Sequence, residues 1–165
     1  DITSDITTTT APTGGEMETA ILKSIEAMLA FKDDQGEPMN ENARTFTVMV
    51  PVPFMSAAAA AIGSEIIVDS STSRTNRILT MGQLGGFSIS LAVNARLTWT
   101  TKFATFRTDA ETKALIRQEE EGVTVDAIAE GSELEFNERK HRYGVKAIRN
   151  VGYGYWQRAC LTTFT

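Results

Sequence analysis

Apolar side chains near the start of the chain recur at helical spacing. Met17, Ile21, Ile25 and Met28 define one face of a predicted helix, with Leu22 and Leu29 widening the stripe. Glu16 and Glu18 fall in its first turn, where carboxylates favour the positive end of the helix dipole. Asp33-Asp34-Gln35-Gly36-Glu37-Pro38 ends this helix in a loop. The β-branched run Thr45 to Val50 then predicts a buried strand, which Pro51 and Pro53 stop. A short helix is expected from Phe54 to about Ile62, built on Ala57 to Ala61 and capped by Gly63.

Beyond this point the period shortens towards two. Glu65 to Val68 predicts a brief strand and Asp69 to Arg77 an exposed polar loop. Gly82, Gly85 and Gly86 punctuate the approach to Phe87-Ser88-Ile89-Ser90-Leu91, whose alternation is that of a half-buried strand. Leu97, Trp99, Thr101 and Phe103 continue the alternation, and Val123, Val125 and Ala127 make another short piece. From Leu134 onward almost everything reads as strand broken by small turns. At least two helices and about six strands in mixed order give an α+β class, a mixed sheet with flanking helices.

Residues 1–14 are rich in Thr and Ser with little to bury, and are expected to form a flexible linker or arm before a domain over 15–165. That feature, with the absence of an initial methionine, is expected of a piece of a longer chain. The 165 residues suffice for one domain, or for two small lobes, with a real core. Hydrophobic and charged fractions of 42% and 22% are ordinary for a globular protein, and no apolar run approaches a membrane span. The net charge of −5 argues against a protein whose main work is gripping phosphates.

Candidate chemistry is sparse. The single histidine, His141, sits among Arg139, Lys140 and Arg142, which disfavour its protonated form and would repel a metal cation. This cluster is expected to be a solvated turn, the alternative being a contact with nucleic acid or with an acidic partner surface. One cysteine, Cys160, excludes an internal disulfide and a Cys-rich zinc site, and a small buried thiol is its ordinary reading. Glu119-Glu120-Glu121 matches neither a calcium loop nor a carboxylate dyad, and is expected at a solvated helix end or loop. Gly82 to Gly86 lacks the lysine of a phosphate loop. No catalytic, cofactor-binding or metal residue is assigned, and no enzyme activity is expected. Tyr153, Tyr155 and Trp156 are spaced so closely that a strand would show aromatics on both faces, one of them needing a second layer, a partner subunit or a ligand. These three are the candidate intersubunit contact.

The run Tyr143-Gly144-Val145-Lys146-Ala147-Ile148-Arg149-Asn150-Val151-Gly152-Tyr153-Gly154-Tyr155-Trp156-Gln157 resembles the closing signature of the Mu-like prophage major head subunits. The preceding order is similar too: a helix from Met17 to Ala30, an Asp/Gly loop, a strand ending Val50-Pro51 and an Ala-rich helix. The resemblance spans about Met17 to Phe164. It implies the tailed-phage major capsid fold of the Hong Kong ninety-seven type, with residues 15–107 mainly axial lobe, 134–151 strands of the peripheral lobe, and the remainder returning to the axial lobe. The family's N-terminal arm, extended loop and spine helix have no counterpart.

The implied function is that of a structural subunit, self-assembling into capsomers and an icosahedral shell around the genome. Its implied partners are copies of itself in hexamers and pentamers, with scaffold or portal proteins as further candidates. DNA would be enclosed without sequence-specific binding, with no membrane and no cofactor. The implied location is the virion, after synthesis in the bacterial cytoplasm. The 165 residues alone are expected to be monomeric or weakly associated. A rival reading is a non-enzymatic partner- or ligand-binding module of a phage or bacterial surface structure, using the loop Asp69 to Arg77.

Overall fold

In the computed structural model, which describes residues 1–69, 72–128 and 131–165, the stretch expected as a linker or arm contributes a short strand, β1 (Ile2–Ser4). Ile2 and Ile6 lie partly buried against the core, which gives these few residues apolar surface to dock with. The helix α1 (Gly14–Leu29) follows. Its start is set by a capping box: the Thr13 side chain accepts from Glu16 N–H, and the Glu16 carboxylate accepts from Thr13 N–H at 2.8 Å. Glu16 also accepts from Thr7 N–H at 2.8 Å, tying the opening residues to the helix. The predicted stripe is the buried one: Met17, Ile21, Ile25 and Met28 are all fully or almost fully enclosed.

Strand β2 (Thr45–Val50) alternates buried and half-buried positions and ends at Pro51 as predicted. A 3-10 turn over Val52–Phe54 leads into α2 (Met55–Gly63), whose C-cap is Ser64, one residue beyond the expected Gly63. In the segment Asp69 to Arg77, expected as an exposed loop, residues 70–71 lie outside the described residues, and the others belong to two strands and the start of a helix. Strands β3 (Ile66–Asp69) and β4 (Thr72–Thr75) pair antiparallel, and Asn76 is fully buried. Asn76 donates to the carbonyls of Ala61 and Ser64, both at 2.7 Å, and caps α3 (Arg77–Gly85) by accepting from Ile78 N–H. The glycines expected to mark turns therefore lie mostly inside a helix, and only Gly86, with φ of 66°, makes the left-handed exit.

After β5 (Ser88–Val93) the predicted alternation through Leu97 and Trp99 forms no strand; β6 (Lys102–Arg107) begins later. Strand β7 (Leu115–Ile128), the short helix α4 (Glu133–Glu138) and β8 (Arg142–Tyr153) come next, before β9 (Ala159–Phe164). The chain divides into two units, one of residues 1–114 with 155–165 and one of 115–154. In the first, a five-stranded sheet runs β1-β9-β6-β2-β5. β1 is parallel to β9 and β2 to β5, while β2–β6 and β6–β9 are antiparallel. This mixed sheet with its helices is the α+β architecture expected from the sequence.

The core centres on aromatics that only the fold brings together. The Phe164 ring lies 5.4 Å from Phe54 and 5.5 Å from Phe103, centroid to centroid, and all three are buried. Two buried polar contacts add direction. Ser24 of α1 and Thr105 of β6 share a hydrogen bond of 2.8 Å. Glu18, fully buried although charged, accepts from Arg77 N–H at 2.7 Å and pairs with the Arg74 and Arg77 guanidiniums. Burial alone would raise the Glu18 pKa, but those donors hold it below its ordinary value. Glu18 thus fastens the β4–α3 junction to α1.

Phe164→Ala should destabilise the chain by about 3–5 kcal/mol, the usual cost of deleting a buried ring, as read from urea unfolding. The Glu16 carboxyl is raised by burial but lowered further by the Thr13 and Thr7 amides, to about 2 from 4.5. Its stabilisation is therefore complete above about pH 4.5 and is lost as pH falls towards 2. Because the group is partly solvated, the loss should be about 1 kcal/mol. Unfolding curves at several pH values should show this component in the native chain and not in Glu16→Ala.

Candidate functional site

The candidate aromatics divide between the two units. Tyr155 and Trp156 belong to the sheet unit and Tyr153 to the other. The strand expected to carry all three ends at Tyr153. Tyr155 N–H donates to Lys113 carbonyl at 3.0 Å, and Trp156–Arg158 forms a 3-10 turn into β9. The turn is what redirects the aromatics, so their spacing is not that of one strand with two faces.

Trp156 rests on Phe31, ring centroids 5.4 Å apart, yet two thirds of it (67%) stays exposed. The turn beneath it is held by a polar network around Asn40, which is fully buried. Asn40 donates to the carbonyls of Met28 at 2.6 Å and Gln157 at 3.0 Å, and its side-chain oxygen accepts from Arg107 and Arg158. Arg107 in turn pairs with Asp109 at 2.6 Å, and Asp109 accepts from Arg44 N–H at 2.7 Å. Burial would raise the Asp109 pKa; Arg107 and the backbone donors bring it below the usual value. Burial and the nearby Arg107 lower that of Arg158, with Asp109 opposing. Trp156 is thus an exposed ring on a fixed support.

Residues 115–154 form a two-stranded antiparallel ribbon, β7 against β8, whose side chains are almost all exposed. Its faces differ in chemistry. Successive β8 residues alternate sides, so Tyr143, Val145, Ala147, Val151 and Tyr153 share one face with Arg149. Opposite them in the register stand Ala127, Val125, Glu119, Arg117 and Leu115, Glu119 facing Arg149. The other face is mixed: it carries Arg142, Lys146 and Asn150 opposite Ile128, Thr124 and Gln118, with Ile148 opposite Glu121 and Ile116 opposite Gly152. Among the described residues the apolar face has no second layer within its own unit, and an isolated two-stranded ribbon is at best marginally stable in water. The alternation of β8 is visible in the sequence, and so is the later part of β7 in Val123, Val125 and Ala127; that β7 begins as early as Leu115 leaves no such mark.

The other candidate residues fall into ordinary surroundings. His141 follows the α4 C-cap Arg139, itself in the left-handed region at φ of 53°, and lies 3.9 Å from the Glu135 carboxylate. The basic cluster is exposed, as a solvated turn requires. Glu119 to Glu121, expected at a helix end or loop, instead lie within β7, where Glu119 pairs with Arg117 and Glu121 with Lys146 at 2.7 Å. Cys160 is buried in β9, and burial pushes its thiol pKa up. A groove lined by Ile62, Ile78, Leu79, Phe87 and Ile89 has no ionisable side chain in its wall. Among the described residues no three His, Cys, Asp or Glu side chains converge as metal ligands would, and no helix is long and apolar enough to cross a membrane.

Residues 91–163 match the family described as Mu-like prophage major head subunit gpT. The matched stretch takes in the end of β5 and everything to near the end of β9; the α1–β2–α2 region, included in the resemblance read from the sequence, lies outside it. No curated protein matches the chain. The family match supports a structural role in a phage head, and the α+β fold with its mixed sheet is consistent with a phage capsid-type fold. Tyr153, 95% exposed, should contribute nothing to the stability of a single chain. Tyr153→Ser is expected to shift unfolding by no more than about 0.5 kcal/mol in urea titrations at low protein concentration.

Proposed function

With the Mu-like major head subunit match over residues 91–163 as premise, we propose that the chain is the shell-forming part of a phage head protein. Copies associate into capsomers, hexamers and pentamers, and these into an icosahedral shell that encloses the genome. The role is geometric: repeated contacts between identical subunits close into rings. The sheet unit corresponds to the axial lobe, and the ribbon to part of the peripheral lobe. DNA is contained without being read, which suits a net charge of −5. Scaffold or portal proteins are candidate helpers, the bacterial cytoplasm the place of synthesis, and the virion the destination.

The observation that best supports self-association, apart from the match, is exposed apolar surface. Tyr153, Tyr155 and Trp156 are all at least half exposed, as are Val125, Tyr143, Val145 and Val151 of the ribbon. Exposed apolar surface on this scale marks interfaces. We assign Tyr153, Tyr155 and Trp156 to contacts between subunits, where each ring, once fully buried, is worth about 1.5–3 kcal/mol. On its own the 165-residue chain associates weakly.

Expression of the intact gene product with Trp156→Ala, followed by electron microscopy, tests the assignment. The expected result is a several-fold fall in particle yield with the soluble subunit still folded. Shells at normal yield would show that Trp156 takes no part in assembly.

A further inference from the structure

The two strands of the ribbon carry opposite charge. β7 holds four carboxylates, Glu119, Glu120, Glu121 and Asp126, against one guanidinium, Arg117, a net charge of −3. β8 holds Arg142, Lys146 and Arg149 and no carboxylate, a net charge of +3. In a two-stranded sheet each strand has one edge turned away from its partner, and among the described residues no third strand pairs with either. Sheet edges are usually protected by proline, by bulges, by brevity or by charge. β8 has only the last, in Arg142, Lys146 and Arg149: it runs for 12 residues without proline, and both irregularities of the register place their extra residues in β7, so its edge repels a like strand and admits an acidic one.

We propose that β8 of one copy pairs with β7 of the next, the ribbons pointing the same way so that the sheet continues antiparallel. This deepens the self-association reading above and rests on it. Charge selects the arrangement. Pairing β8 with β8 sets +3 against +3, and β7 with β7 sets −3 against −3; only β7 with β8 is complementary. Repeating the internal register puts Arg149 of one copy beside Glu119 of the next, and Lys146 near Glu121. The same repetition sets Val145 beside Val125 and joins the apolar faces into one surface. Each copy then uses two different edges, so the contact is heterologous: it propagates head to tail instead of ending at a two-fold dimer.

Two variants that each add one cysteine test this, Val125→Cys and Val145→Cys. Both side chains are exposed, and the native Cys160 is buried. The variants, one carrying a size tag, are oxidised alone and mixed at high concentration, with sedimentation run in parallel. The expected result is a mixed cross-linked pair several-fold more abundant than either homodimer, falling as salt is raised. Equal or greater homodimer yields, or oligomers by sedimentation without the mixed cross-link, would overturn the edge pairing while leaving self-association standing. A chain that stays monomeric and uncross-linked at every concentration would overturn both for these residues.

Discussion

The sheet unit depends on β9. This strand lies between β1 and β6, and its last buried side chain, Phe164, bridges Phe54 and Phe103. Without it β1 has no neighbour, β6 becomes an edge, and two aromatic rings lose the face they pack on. The chain reaches this position only after an excursion through residues 115–154. The hydrogen bond from Tyr155 N–H to Lys113 carbonyl closes the excursion where it began, and the Asn40 network fixes the turn that aims the returning chain. The core thus accommodates a long insertion, provided both ends of that insertion are held.

Where one signal dominates, the sequence is easy to read. The α1 stripe is a single-faced apolar pattern, and β2 ends where proline removes its donors; both appear as expected. The segment from Asp69 to Gly85 is harder, because its order comes from partners distant in sequence. Glu18 supplies a buried carboxylate for Arg77, and Ala61 and Ser64 supply carbonyls for Asn76. Polar residues there signal loop until those partners are known. Leu97 and Trp99 show the reverse error: alternation without a neighbouring strand to pair with does not make a strand.

The candidate surface is legible in part. Tyr153, Tyr155 and Trp156 are visible as an excess of aromatics, but their division between two units is not, since a 3-10 turn leaves little mark on composition. The acidic run is misplaced for a related reason. Three adjacent glutamates have low strand propensity, yet in β7 Glu119 stands opposite Arg149 and Glu121 pairs with Lys146, and cross-strand pairing outweighs propensity. The ribbon as a whole contradicts the rule that apolar alternation marks a buried face. Here the alternation is present and the burial is not.

The position of β9 also has a meaning in time. Ile2 pairs with Thr162, and the Asp5 carboxylate accepts from the Thr165 hydroxyl, 160 positions away. A ribosome adding about 5–20 residues per second needs on the order of ten seconds to make the second partner after the first. During that interval β2, β5 and β6 can pair, but β6 presents an open edge and the Phe103 ring is uncovered. Until β9 arrives, the nascent chain is therefore open to wrong pairing at the β6 edge.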